Sequence, residues 1–363
     1  MRPQWGGVAY AARGCGGVTS RRAFLRNVAA PSVVLLLAAC SQVAPAPAPP
    51  APTSAPAPTR PASLTKVTIS FSDRSASDLA LFLAKSIDLF GKYGIDADLQ
   101  FVASNTGIAA LIADQTQFAL IGGPETLGAN VEGADLVIIL QNSGAQPYIM
   151  EVGSSIKTPE DLKGKRVGVS TLGSSSDTAT RIALRAKGIN PDSDVQIVAV
   201  GSLANRMSAM MNGAVDAGLA SPPDTLQLED SGLHPLFDLS TIDMPPLAQC
   251  LVVKRSTIGS QRDMVQRVVN AVVEATAVQK KDKAASEKAL VDWADMSDQR
   301  VLDVAYDYWT NHVLRVPPSL KLSDFQGFVD ELAQRNEKAK GFDASKMLDN
   351  SFVDAAVAQG LAS

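Results

Sequence analysis

Short apolar strands alternate with amphipathic helices from residue 64 to residue 220, and this alternation restricts the possible folds most strongly. Residues 67–71 have strand character, and residues 78–92 carry apolar side chains at helical spacing before Gly94. Further strands are predicted at 95–102, 118–121, 136–141, 166–170, 195–200 and 217–220, with helices at 107–114, 128–133, 176–187 and 205–212. Strands and helices in this order favour an α/β fold built from parallel units.

The series occurs twice, at an offset of 99 positions. Asp78 corresponds to Asp177, Pro124-Glu-Thr126 corresponds to Pro223-Asp-Thr225, and Ala119-Leu120 corresponds to Gly218-Leu219. We therefore predict two related α/β lobes. Lobe 1 comprises residues 64–147 and 248–340, lobe 2 comprises 148–247, and 341–363 packs on lobe 1 as a C-terminal segment. Strands at 148–152 and 247–253 are the expected crossings, and the chain from Gln261 onward is expected to be mainly helical.

The first 39 residues have the layout of an export signal. They contain five arginines and no acidic residue, followed by an apolar run at 28–39 that is too short to span a bilayer. Arg21-Arg22 resembles a twin-arginine signal, and Leu37-Ala-Ala-Cys40 resembles a lipoprotein cleavage site at which Cys40 would be lipidated. A short uncleaved anchor is the alternative.

Residues 40–63 are predicted to be a tether. After Cys40 they consist almost entirely of Ala, Pro, Ser and Thr, which offer little to bury. We expect a lipid-anchored protein on the periplasmic or extracellular face of the cell membrane.

Charge and cysteine content argue against a nucleic-acid-binding protein and against a disulfide-stabilised one. Beyond the signal, 28 basic and 37 acidic residues remain, without a dense basic block, so nucleic acid is not an expected partner. Only Cys250 would be left as a thiol, which excludes an intramolecular disulfide framework. Nothing in the sequence requires more than a monomer.

Four loops are candidates for binding a small molecule, because ligands of α/β lobes bind beyond the carboxyl ends of strands. The loops are 72–78, 122–126, 171–177 and 221–225, two from each lobe, facing one another across a cleft that can close. The candidate ligand-binding residues are Ser72, Gly123, Glu125, Thr126, Thr171, Gly173, Ser174, Ser175, Asp224 and Gln249.

These residues suit different parts of a ligand. Gly173 with Ser174 and Ser175 offers hydroxyls and backbone N–H groups to an oxyanion at a helix start. Glu125 and Asp224 could accept hydrogen bonds from an amine or a ring N–H. Helix capping by Ser176 and by the two acidic residues, together with a turn at Gly173, explains the same pattern without a ligand.

Signatures of enzymes, metal sites and cofactor sites are absent from the sequence. It contains no Gly-x-Ser-x-Gly elbow, phosphate-binding loop or His-Glu-x-x-His motif. His234, His312 and Cys250 show no metal-ligand spacing. We expect no enzymatic activity, no metal and no cofactor.

Three segments carry a resemblance to a known family. They are Asp78-Leu-Ala-Leu-Phe-Leu-Ala-Lys85 with the following 89–99 run, Gly122-Gly-Pro-Glu125, and Leu162-Lys-Gly-Lys-Arg-Val-Gly-Val169. They resemble the NMT1/THI5-like family of periplasmic binding proteins, with its SsuA/TauA-type members. The resemblance covers most of 64–340 and implies a type II periplasmic-binding fold, with two lobes joined by two crossing strands. It also implies an ABC transporter permease as partner and a ligand of the sulfonate, nitrate, carboxylate or pyrimidine-precursor class.

Two alternatives stay open at this point. Some family members are enzymes that make the thiamin pyrimidine, and their cysteine-rich motif and histidine are missing here. The lobes could also serve as a ligand sensor for a membrane receptor.

Overall fold

The computed structural model describes residues 63–103, 105–246 and 249–363. The predicted signal peptide, Cys40 and all but the last residue of the predicted tether lie outside these ranges. Within them, no helix combines the length and the apolar character needed to cross a membrane.

The first lobe is built on a five-stranded mixed sheet. Its strands are β1 Thr65–Phe71, β2 Ile95–Phe101, β3 Phe118–Gly122, β4 Leu136–Gln141 and β10 Gln249–Lys254. Their order is β2-β1-β3-β10-β4, and β10 runs antiparallel to both of its neighbours.

The second lobe repeats this plan. Its strands are β5 Ile149–Val152, β6 Arg166–Val169, β7 Gln196–Ala199, β8 Ala217–Ala220 and β9 His234–Asp238. Their order is β7-β6-β8-β5-β9, and β5 is the antiparallel strand.

The two orders match strand for strand, as the sequence duplication predicts. In each sheet the antiparallel strand is the one that follows a crossing from the other lobe, so it enters the sheet from the opposite end. The α/β fold is confirmed, and the two strands expected at the crossings, β5 and β10, are the antiparallel members of the two sheets. The chain crosses through residues 142–148 and again between β9 and β10.

Helices cover the faces of both sheets. They are α1 Leu79–Ser86, α2 Leu89–Lys92, α3 Asn105–Ile112, α4 Gly123–Val131, α5 Ser175–Ala186, α6 Leu203–Met211, α7 Asp224–Asp230, α8 Arg255–Lys281, α9 Lys283–Ala294, α10 Gln299–Tyr308, α11 Ser323–Ala333 and α12 Ser351–Ala358. A π-helical turn, Trp309–Val313, follows α10.

Two local predictions differ from the structure. The predicted helix 78–92 is divided into α1 and α2 at Asp88, whose φ of 57° is left-handed, a conformation that Asp tolerates better than most residues. The predicted loop 122–126 is mostly helix, because Pro124 and Glu125 occupy the first turn of α4, where both residue types are favoured.

Apolar clusters lie on both faces of each sheet. The largest packs α1, α8 and α9 on the first sheet, where the buried Phe82 ring meets Phe71 edge-on with ring centroids 5.2 Å apart. Near the end of the chain, α12 packs on α8: the Arg262 guanidinium lies 4.3 Å from the Phe352 ring centroid.

Candidate functional site

A cavity of about 50 Å³ lies between the two lobes, beyond the carboxyl ends of the parallel strands. All four predicted loops contribute to its wall. On the same measure a water molecule needs roughly 10–15 Å³. In this closed arrangement the cavity therefore has room for a small polar group.

Serine dominates the wall of the cavity. Four serines come from the first lobe and six from the second: Ser72, Ser75, Ser77, Ser143, Ser170, Ser174, Ser175, Ser176, Ser202 and Ser221. A hydroxyl donates one hydrogen bond and accepts others. The wall thus offers many donors at short range and can surround a group with several oxygen atoms.

Arg206, on α6, supplies a positive charge to this wall. Its side chain is only 2% exposed. The guanidinium donates from Nε to the Leu219 carbonyl at 2.8 Å and from one terminal nitrogen to Ser170 Oγ at 2.8 Å. Among the described residues, no carboxylate lies within ion-pairing distance of it. Its charge is therefore not neutralised by a direct partner, and it faces the cavity.

The Arg206 side chain packs over two glycines of the second sheet. Gly168 and Gly218 lie opposite each other in β6 and β8. A Cβ atom at Gly218 would lie 3.4 Å from Arg206 Cδ, and one at Gly168 would lie 3.6 Å from Arg206 Cγ. The aliphatic part of Arg206 therefore crosses the sheet over two residues that lack side chains.

Acidic groups surround Arg206 at longer range. Burial raises the pKa of Asp73, which lines the cavity, to about 6, with the Arg206 charge opposing the rise and Glu125 adding to it. Burial raises the pKa of Asp224 to about 7, again opposed by Arg206. Such groups gain from a ligand that brings a hydrogen-bond donor or a cation.

Glu125 crosses the cleft and binds the opposite lobe. Its Oε1 accepts from the Ser175 backbone N–H at 2.9 Å, and its Oε2 accepts from Ser175 Oγ at 2.7 Å. Burial raises the pKa of Glu125, and these two hydrogen bonds oppose the rise. The first turn of α5 thus already holds a carboxylate.

Half of the predicted site residues line the cavity: Ser72, Glu125, Ser174, Ser175 and Gln249. Ser174 also caps α5 and accepts from the Asp177 N–H at 3.4 Å, so the cap is Ser174 and not Ser176. Gln249 donates to Asp78 at 2.9 Å inside its own lobe. Their contact with a ligand stays a prediction.

The structure places the other five away from the cavity wall: Gly123, Thr126, Thr171, Gly173 and Asp224. Gly123 faces α11, where an added Cβ would lie 3.0 Å from the Phe325 ring, and Thr126 donates to the Gly122 carbonyl. Gly173 has a φ of 82° and donates its N–H to Asp177 at 2.7 Å, so it serves the turn. Asp224 lines an outer cleft together with Arg74.

Sequence reasoning missed Arg206, Asp73 and two aromatic residues, Tyr148 and Trp309, all of which line the cavity. Trp309 lies in the π-helical turn after α10, and its indole N–H donates to the Pro222 carbonyl of the second lobe at 2.8 Å. The available signal for Arg206 was its position at helical spacing from Leu203 and Met210, on the apolar face of α6. Within the described ranges, no cluster of three or more His, Cys, Asp or Glu residues could hold a metal ion.

The fold is shared with solved structures, among them proteins named as binding proteins. A Bordetella bronchiseptica RB50 protein superposes with a TM-score of 0.72 at 22% identity, covering 81% of this chain and 98% of its own. The alkanesulfonate-binding protein SsuA from Xanthomonas axonopodis pv. citri, bound to MOPS, gives 0.63 at 20% identity, covering 82% of this chain and 99% of that chain. The nitrate-binding protein NrtA from Synechocystis PCC 6803 gives 0.66 at 14% identity, covering 82% and 89%.

A search of curated proteins found no match. The "NMT1/THI5 like" family model matches residues 77–284, which is more than half of the chain and includes both crossings between the lobes. The chain has the periplasmic-binding-protein fold and belongs to the NMT1/THI5-like family.

Proposed function

We propose that this protein is an extracytoplasmic solute-binding protein that captures a small polar molecule with an anionic group between its two lobes and delivers it to an ABC importer. Membership of the NMT1/THI5-like family supports this proposal. Proteins that share the fold are named for binding alkanesulfonate and nitrate, both of which are anions.

The observation that carries the proposal is Arg206 in the serine-lined cavity. A buried guanidinium needs compensation for the water it has lost, and among the described residues Arg206 donates only to a carbonyl and a hydroxyl. An oxyanion would accept charge-assisted hydrogen bonds from the guanidinium and further bonds from the serines. The sulfonate, nitrate and carboxylate classes all meet this requirement.

Asp73 adds a second requirement for the ligand. A carboxylate beside the cavity repels a molecule that is anionic throughout. A ligand whose far end carries an amine, a hydroxyl or a ring N–H would instead donate to Asp73. We therefore favour ligands with an acceptor group at one end and a donor at the other.

The proposed location follows from the sequence. A signal at 1–39, lipidation at Cys40 and a Pro/Ala tether to residue 63 would hold the monomeric binding protein at the outer face of the cell membrane. Mass spectrometry of the membrane-extracted protein should find a diacylglyceryl group on Cys40 as the N-terminal residue. A soluble, unmodified protein would contradict the anchor.

The ligand can be identified by a thermal-shift screen of sulfonates, nitrate, carboxylates, amino acids and pyrimidines. A ligand at 100 times its dissociation constant adds about 2.7 kcal/mol of stability, so Tm should rise by a few degrees. We expect Arg206→Gln to abolish the shift of an anionic ligand. The exposed Arg300→Gln variant, on α10, is the control and should keep it.

The same screen distinguishes the alternatives. A saturable ligand recovered unchanged supports a binding protein. A compound consumed during the assay would favour an enzyme, and the absence of any shift from anionic compounds would contradict the proposed ligand class. The ligand-free Tm of Arg206→Gln shows whether that variant has folded.

A further inference from the structure

Glu125 is placed where an anionic ligand would be expected to bind. Its side chain is 8% exposed and lies in the first turn of α4 in the first lobe. The carboxylate receives both the backbone N–H and the hydroxyl of Ser175, the first residue of α5 in the second lobe. One side chain therefore joins the lobes through a bidentate contact.

The Glu125 carboxylate is held by the same kinds of group that hold a bound oxyanion. Free N–H groups and the helix dipole make a helix N-terminus favourable for negative charge. The Glu125 carboxylate lies at the N-terminus of α5 and within the N-terminal turn of its own helix α4. Two positive helix ends, one from each lobe, thus converge on the same carboxylate.

Gly122 permits the close approach of the lobes at this point. A Cβ atom there would lie 1.8 Å from Ser175 Oγ and 2.3 Å from Glu125 Oε2. A side chain there would displace the Ser175 hydroxyl and the Glu125 carboxylate from each other. The absence of a side chain at 122 is therefore a requirement of this contact between the lobes.

Two ion pairs fasten the same helix to the first lobe. Arg335 pairs with Asp177 at 3.2 Å, and Arg185 of α5 pairs with Glu331 of α11 at 3.1 Å. Both run between the lobes. Glu125 is the member of this group that lines the cavity.

We propose that Glu125 is a specificity-determining residue that acts as a tethered anion. It occupies the N-terminus of α5, joins the two lobes, and excludes the anionic group of a ligand from Ser175, so that this group is directed to Arg206. The exclusion of the ligand's anionic group rests on the proposed function, whereas the contact between the lobes does not.

The contact between the lobes is tested without any ligand, by hydrogen exchange of the full chain. In Glu125→Ala the amides of residues 174–177 should exchange faster than in the wild type. Gly122→Ala should do the same with the carboxylate still present, because the new methyl group displaces the Ser175 hydroxyl and the Glu125 carboxylate from their contact. Glu132→Gln, an exposed change on α4's C-terminal side, is the matched control and should have no effect there.

The exclusion of anions is tested by calorimetry with sulfate as the probe. Glu125→Gln should bind sulfate about tenfold more tightly than the wild type, and Glu132→Gln should bind it as the wild type does. Unchanged exchange in both Glu125→Ala and Gly122→Ala, or weaker sulfate binding in Glu125→Gln, would overturn the proposal. If no variant bound sulfate but exchange still increased, the closing contact would stand and the proposed ligand class would fail.

Discussion

Arg206 is the positively charged residue of the candidate site, and the sequence analysis did not identify it. An arginine in an amphipathic helix usually lies on the solvated face. Arg206 instead follows Leu203 by three positions and precedes Met210 by four, so helical spacing places it on the apolar face of α6. Its side chain packs over Gly168 and Gly218, which lie far from it along the chain on two other elements. Local pattern therefore contains a signal for its burial but not for the cavity that its guanidinium faces.

Glu151 is a second buried charge, outside the site. It lies in β5 with no exposure, and neither carboxylate oxygen has a hydrogen-bond partner among the described residues. Burial raises the pKa of Glu151 to about 7, with the charge of Glu229 adding to the rise. Because the folded pKa exceeds the unfolded one, the folded protein holds a proton that the unfolded chain releases, and stability falls as pH rises from about 4.5 to 7.

Glu151→Gln should remove this loss of stability. We compare the free energy of unfolding of the variant with that of the wild type. This difference should be about 1–3 kcal/mol more in favour of the variant at pH 7.5 than at pH 5. Urea denaturation at pH 5, 6 and 7.5 measures it. The exposed Glu160→Gln variant should give no such trend, and a gain independent of pH would show that Glu151 does not titrate as described.

At the scale of elements, the sequence predicted whether a segment is a helix or a strand better than it predicted the residues at which the segment begins and ends. Strand β8 has the predicted bounds, and α5 starts one residue before the prediction. Errors occurred where one residue changes the backbone, as at Asp88, or where capping residues belong to a helix and were assigned to a loop, as at Pro124. The residues at which a helix or strand begins and ends depend on tertiary contacts that the local sequence pattern does not contain.

The packing of α1 gives a prediction at this scale. Phe82 is fully buried, and its ring lies between Phe71 and Trp293, with centroids at 5.2 and 6.2 Å. Phe82→Ala should lower the free energy of unfolding by about 3–5 kcal/mol, since it leaves a cavity in the largest cluster. Chemical denaturation measures the loss. Ile87→Ala, at a position 36% exposed, should cost far less, and equal losses would show that the cluster does not determine stability.

For the whole molecule, the duplication in the sequence predicted more than any single motif. Asp78 and Asp177, related by the 99-residue offset, are both fully buried at the start of a helix, which follows β1 in the first lobe and β6 in the second. The duplication could not predict contacts between the copies, such as Glu125 with Ser175, because each copy looks complete by itself. The candidate site lies at the interface: the loops that line it were predicted from the sequence, whereas the contacts across the cleft were not.

The position of β10 has a consequence for the order in which the chain becomes structured. This strand lies between β3 and β4 inside the first sheet, yet it is made after the whole second lobe. During synthesis the first sheet therefore lacks the strand that joins β4 to β3, while the second lobe can complete its own sheet with strands that are already present.

A chain ending at residue 246 should accordingly show unequal protection from proteases. We expect fragments within 149–238 to resist cleavage and β3 and β4 to be cut quickly, as limited proteolysis with mass spectrometry would record. Equal resistance of both halves would mean that the first sheet closes without its late strand. In the expected case, the lobe that is synthesised first is the one whose sheet is completed last.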